Sequence, residues 1–262
     1  MVRASIDSVE LRRPDLRRPF PRRFVQRLTG QRVLSLTRRA KYLLASLSSG
    51  ETLLMHLGMS GSFRTERDGV AGRARKKPIS DSLHDHVVFH MSTGRRVVFN
   101  DPRRFGVMDL APTQQLHDHP ALEGLGPEPL ADDFTPAALA RACRGKTTSL
   151  KAALLDQRIV AGLGNIYASE ALHLAGLSPR RRASTLATAS GAPRDAAFRL
   201  TAAIKDVLQR AIARQLDVEY RDTRFLVYDR EAEPCPRSNC TGTIRRRLQG
   251  GRSTYYCPVC QR

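Results

Sequence analysis

The sequence predicts an α+β protein of several domains, with an antiparallel β-sandwich first, a helical domain next and a zinc ribbon last. Three observations carry this expectation. Short alternating apolar runs are confined to the first half of the chain. Capped amphipathic stretches are confined to the second half, and four of the five cysteines gather between Cys235 and Cys260. The expected boundaries are 1–115 for the sandwich, 116–130 for a linker, 131–225 for the helical domain and 226–262 for the ribbon.

The strand expectations are "RVLSLT", "KYLLASL", "TLLMHLGM", "HVVFHM" and "RVVFN", separated by turn signals such as "SSGE" and "STGR". Several such runs at hairpin spacing make a sandwich or barrel. The charged segment from Arg64 to Lys77 reads as an exposed loop, and "GLGPEPLADDF" reads as a linker. Thr135 then caps a helix opening at Pro136. A second helix starts from Ser149. A third starts from Asn165 and stops at Gly176, and an amphipathic helix covers roughly 193–214.

Cys235 and Cys240 enclose four residues, Cys257 and Cys260 enclose two, and sixteen separate the pairs. Two close pairs across a basic hairpin give four thiolates at tetrahedral corners, which is structural zinc spacing. Such a site has no open position, so no catalytic metal is expected. Disulfides are the alternative, but nothing indicates an oxidising compartment. Cys143 stands alone and reads as a small core residue.

Lys and Arg number 44 against 25 Asp and Glu, a formal charge of +19. That excess fits a polyanion partner, with nucleic acid ahead of an anionic membrane. No run of 18 apolar residues, signal peptide or lipidation motif occurs, so a soluble intracellular protein is expected, in the cytoplasm with no membrane partner. Between Leu11 and Lys41 lie eleven basic residues and one acid, Asp15. Lys41 falls inside a strand pattern, on the face opposite Tyr42. Neighbouring cations would lower its pKa and suit it to proton transfer, although a plain surface lysine has the same pattern. "HLGMSG" offers Met59 from a bend, and "NDPRRFG" turns to display Arg103, Arg104 and Phe105. Apolar wedges beside arginines unstack a duplex and fill the gap left by an extruded base; core packing is the ordinary alternative for each singly.

With "RRAKYLL", "HLGMSG", "HDHV", "DPRRFG", "LGPEPL", "GLGNIYASEAL" and the cysteine module in this order, the chain resembles bacterial formamidopyrimidine-DNA glycosylase from about Val9 to Arg262. The resemblance implies a monomeric base-excision repair enzyme with a helix–two-turn–helix domain, holding double-stranded DNA in a basic cleft. It implies flipping of an oxidised purine, 8-oxoguanine or its ring-opened formamidopyrimidine, then glycosidic cleavage and β,δ-elimination at the abasic site. Position by position, Lys41 matches the lysine that assists base release and elimination. Met59, Arg103 and Phe105 match the trio that fills the void. His84, Lys151 and Asn165 match DNA-contacting positions, and Arg252 matches the ribbon arginine that grips phosphates around the lesion.

The chain departs from the family at its start. The family opens on a Pro-Glu pair whose proline amine attacks the sugar; here "MVRASIDSVELRRPDL" resembles the strand that follows. The expectation is that Met1 is an internal residue taken for a start, or that the protein is truncated. The first knuckle is longer than the common form. The stretch before Tyr228 is short and lacks a "GYF"-type loop, which puts lesion preference between ring-opened purines and abasic sites. A basic position four residues before Lys151 is Thr147 here, with Lys146 as an imperfect substitute. A non-catalytic protein that binds damaged DNA is the competing reading. A zinc-ribbon RNA binder explains the charge but neither "HLGMSG" nor "DPRRFG". As written, the chain is expected to trap little or no borohydride adduct on lesion duplex. An adduct as abundant as an intact family member's would contradict this.

Overall fold

The computed structural model describes residues 1–67, 79–215 and 224–262. It divides into two compact units, Met1–Glu123 and Gly124–Arg262.

Among its described residues the first unit has eight strands: β1 (Ile6–Leu11), β2 (Val33–Arg39), β3 (Tyr42–Leu47), β4 (Glu51–His56), β5 (Ser62–Arg67), β6 (Asp85–Met91), β7 (Arg95–Asn100) and β8 (Val107–Pro112). They form two four-stranded sheets, ordered β1-β6-β7-β5 and β2-β3-β4-β8. All pairings are antiparallel. Alternate residues of each strand enter one core, as the period of two requires. Val87 and Phe89 come from β6, Val97 and Phe99 from β7, Leu53 and Met55 from β4, and Met108 and Leu110 from β8. A short helix, α1 (Phe24–Leu28), closes that core with Phe24 and Leu28.

Two sequence expectations need correction here. Arg64 to Arg67 belong to strand β5 rather than to a loop; the rest of the expected loop, from 68, lies outside the described residues. The strand looks polar because its charges are matched across the sheet. Arg64 donates to both oxygens of buried Asp85 at 2.5 Å, and Glu66 accepts from Arg96 at 2.6 Å. Lys41 sits in the turn between β2 and β3, where Arg39 pairs with Tyr42, and not within a strand. That two-residue turn places Ala40 at φ 52, a conformation that no glycine announced in the sequence.

Among its described residues the second unit packs four helices around an Ala- and Leu-rich core. They are α2 (Pro136–Cys143), α3 (Leu150–Leu155), α4 (Asn165–Leu174) and α5 (Asp195–Gln215). Thr135 and Ser149 accept the N–H groups of Ala138 and Ala152 as N-caps. The stretch read as a linker is tied down from Gly126 onward. Gly126 N–H donates to Gln157, Pro127 accepts from Ala161, and Phe134 is buried in the helical core. A hairpin, β9 (Arg245–Gln249) and β10 (Arg252–Tyr256), completes this unit with a small core of Val227, Ile244 and Tyr255. Cys143 is fully buried, and burial pushes its thiol up to about 11.

Phe99 is the side chain under the loops at one end of the sandwich. A Cβ on Gly61 or Gly106 would lie 2.9 or 2.6 Å from its ring. Phe99→Ala should therefore cost about 3–5 kcal/mol in urea denaturation.

Candidate nucleic-acid interface and metal centre

Five of the expected residues gather at one end of the sandwich, where β3 and β6 begin and β4 and β7 end. The loop after β7 is organised by Asp101, fully buried, whose carboxylate accepts from Ser60 at 2.6 Å and from the Gly106 N–H at 2.8 Å. Ser60 belongs to the Met59 turn, so this carboxylate locks the two loops together. Gly58 completes the lock: it sits at φ +68, and a Cβ there would lie 2.5 Å from the Phe105 backbone. The result is display rather than packing. Met59 is 72 % exposed and Phe105 is 40 % exposed, with the Arg103 guanidinium 4.8 Å from the Phe105 ring centroid.

His84 ends a short 3-10 turn, and its carbonyl accepts the Asp101 N–H at 2.9 Å. Its ring is half-buried, 6.5 Å from that of His86, which itself bonds the Asp101 carbonyl at 2.9 Å. Lys41 is exposed at the adjoining hairpin turn. Beside it, burial first and then the charges of Lys41 and Arg17 push His56 below its ordinary value. The His56 Nδ1 accepts the Gly58 N–H at 2.9 Å, joining the Lys41 corner to the Met59 turn.

In the second unit the hairpin carries Arg252 at its tip, exposed, and the next residue fixes its place. The Ser253 carbonyl accepts from Lys151 Nζ at 3.0 Å and from Asn165 Nδ2 at 3.1 Å. Lys151 also donates to the Thr254 hydroxyl at 2.7 Å. Gln249, across the hairpin, donates to Ser149 at 2.5 Å and to the Pro179 carbonyl at 3.2 Å. Lys151, expected as a DNA contact, is thus 1 % exposed and bound to the ribbon, because its partners lie about a hundred residues on. Together with Arg252, Gln249, Ala152, Leu155 and Asp156 it lines a cavity of about 310 Å³. Burial and the Arg252 charge push Lys151 down to about 8. Lys146 is half-buried after α2; Asp156 is held below its usual range first by Arg158, with Lys146 adding to the effect. Asn165 opens α4, and its Oδ1 is buried without a partner among the described residues.

Cys235, Cys240, Cys257 and Cys260 bring their sulfurs within 4.8 Å of one another. The near pairs, Cys235–Cys260 at 3.7 Å and Cys240–Cys257 at 3.6 Å, run between the knuckles. Sulfurs at tetrahedral corners 2.3 Å from a zinc ion stand about 3.8 Å apart, so these residues fit that ion. Burial first, and then Cys235 and Cys257, push the Cys260 thiol up. A cation at the centre reverses that balance.

Three contributors carry no signal in the sequence. Buried Glu170 accepts the N–H groups of Leu226, Val227 and Tyr228 at 2.6, 2.9 and 2.9 Å, holding the entry to the ribbon against α4. His173 and Arg237 bond around Cys235 and the end of α4. The short stretch before Tyr228 lies outside the described residues over 216–223.

Comparison with known proteins agrees with this arrangement. Residues 1–108 match the formamidopyrimidine-DNA glycosylase N-terminal domain, and 125–220 match the formamidopyrimidine-DNA glycosylase H2TH domain. The formamidopyrimidine-DNA glycosylase of Azorhizobium caulinodans is 56 % identical, over 99 % of this chain and 93 % of its own length. That of Beijerinckia indica is 55 % identical, over 100 % and 94 %. Among solved structures, a Lactococcus lactis formamidopyrimidine-DNA glycosylase bound non-covalently to DNA containing an AP site matches with TM-score 0.80 and 29 % identity. Its complex with DNA containing Fapy-dG matches with TM-score 0.82 and 29 % identity. Each covers 100 % of this chain and 94 % of the other. The fold and the thiol tetrad thus define a DNA glycosylase carrying an H2TH domain. Within that class, the chain belongs to the formamidopyrimidine-DNA glycosylase family.

The buried lysine has a measurable signature. Its folded value, about 8, lies below its ordinary 10.5. Between those limits the unfolded chain binds more protons, so stability rises with pH across that window; below about 8 the cost of burying the charge is felt in full. Urea denaturation from pH 7 to 10.5 should show this rise as the difference between the wild type and Lys151→Met.

Proposed function

We propose that this protein recognises duplex DNA carrying a damaged purine or an abasic site and turns the damaged nucleotide out of the stack for base excision. The observation that carries this reading is the display of Met59 and Phe105, two large apolar side chains held outward by a buried carboxylate, with Arg103 alongside. Such side chains add nothing to the sandwich core. They suit the gap left by an extruded base, with Arg103 facing the orphaned partner.

The remaining site residues divide the work by chemistry. Arg252, His84, Asn165 and Lys146 contact phosphates, and Lys151 acts beneath Arg252 as a buried positive charge. Lys41 would assist departure of the base and the β- and δ-eliminations only after an amine has attacked the sugar C1′ to form the imine, the step the family assigns to its opening proline. Substrates are ring-opened formamidopyrimidines and abasic sites, supported by the names of the relatives and by the DNA in the matched complexes, with 8-oxoguanine added by the family resemblance. Cys235, Cys240, Cys257 and Cys260 hold one structural zinc ion, which fixes the base of the hairpin. No catalytic metal takes part. The sandwich serves as the glycosylase domain, and the helices and ribbon serve as the DNA grip. The protein acts as a monomer in the bacterial cytoplasm, at the nucleoid. Among the described residues no helix is long and apolar enough to cross a membrane.

Binding to duplexes with and without an abasic-site analogue, followed across salt concentration, tests the division of labour. Arg252→Ala should weaken both complexes and lower the slope of log K against log[salt] by about one. Met59→Ala with Phe105→Ala should reduce the preference for the lesion duplex and leave that slope unchanged. A double variant with undiminished lesion preference would contradict the void-filling assignment.

A further inference from the structure

The first cysteine knuckle is two residues longer than the second, and the extra length is used. Cys235 to Cys240 is closed by Asn239 at φ 60 and by Cys240 N–H donating to the Arg237 carbonyl at 3.1 Å. This loop carries Arg237 out to the C-terminal end of α4. There its Nη2 donates to the carbonyls of His173 at 2.5 Å and Leu174 at 3.1 Å. Those acceptors belong to the last turn of a helix, where a cation is favoured; the His173 carbonyl also accepts the Gly176 N–H at 3.0 Å. The same turn answers in the opposite direction. His173, 3 % exposed, brings its Nε2 to 3.4 Å from Cys235 Sγ, and its Nδ1 has no partner among the described residues.

We infer that His173 and Arg237 form a two-way latch between α4 and the metal centre, with His173 as a positioning residue that donates its Nε2–H to the Cys235 thiolate. With Nδ1 facing no acceptor among the described residues, the ring proton belongs on Nε2, which points at the sulfur. A thiol is a weak acceptor and a thiolate a strong one, so the bond strengthens when a cation deprotonates Cys235. Four thiolates on a divalent ion carry two excess negative charges; an N–H on one sulfur and a guanidinium nearby offset part of that excess. The second knuckle is tied to the same place. Gln261 accepts the Cys257 N–H at 2.8 Å and donates to the Leu177 carbonyl at 2.9 Å, and the Ser178 N–H donates to the Arg262 carbonyl. The end of α4 is therefore the seat of the whole metal module. The opening of the same helix carries Asn165, bonded to Ser253 beside Arg252.

This inference rests on the reading that the tetrad holds zinc, and the test separates the two. The full-length protein would be prepared with zinc and, separately, with cobalt(II). Zinc release to a chelating dye and the sulfur-to-cobalt charge-transfer band would be measured for the wild type, His173→Phe, His173→Gln and Arg237→Met. His173→Phe, which fills the space without a donor, should release zinc about tenfold faster and shift the cobalt band. His173→Gln, with an N–H at similar reach, should recover most of both. Arg237→Met, altered on a surface loop, should also release zinc faster while leaving the band nearly in place. A wild type with no tetrathiolate cobalt spectrum overturns the zinc reading and the latch together. A normal spectrum with unchanged release and band in His173→Phe overturns the latch alone. Glutamine behaving like phenylalanine overturns the donor role.

Discussion

The Ser253 carbonyl is the acceptor on which the second unit depends. One lone pair takes the Lys151 ammonium from α3 and the other the Asn165 amide from α4. Two helices with different directions thereby fix one peptide group, and Arg252 precedes that group in the chain. A long flexible side chain keeps a reproducible position only when its backbone is fixed, and Lys151, one of the two fixing residues, is buried where water competes little. The cost is a lysine whose charge is disfavoured by burial and by its arginine neighbour. Natural proteins accept such a cost where position matters more than stability.

The sandwich solves a related problem by a different route. Its display loops contain little regular structure, yet each closes on a buried atom of Asp101 and leans on the Phe99 ring. Exposed apolar side chains invite collapse back onto the core. Gly58 lets the Met59 turn approach the Phe105 backbone closely, and Gly106 lets the second loop lie against the Phe99 ring and Asp101.

Much of this was legible in the sequence because its causes are local. Alternation in "HVVFHM" and "RVVFN", the caps at Thr135 and Ser149, and the paired cysteines depend on neighbours within a few residues. What escaped depends on distant partners or on matched charges. Arg64–Arg67 reads as a loop because its stabilising groups, Asp85 and Arg96, lie on other strands. Lys41 reads as a strand residue because the turn is made with Ala40 at positive φ instead of glycine. Lys151 looks like any surface lysine until the hairpin, about a hundred residues later, is placed over it. His173 and Arg237 are some sixty residues apart, and neither stands in a recognisable pattern. Met59 and Phe105 lie between these cases: their glycines mark turns, but only the structure shows that the side chains face outward.

The fifth cysteine gives the molecule a built-in reporter. Cys143 lies fully buried in the helical core with its thiol pushed up to about 11, so it is chemically silent while that core is intact. Alkylating reagents applied to the native protein therefore read the occupancy of the tetrad alone. Labelling at Cys143 would mark instead the moment when the helical core itself opens.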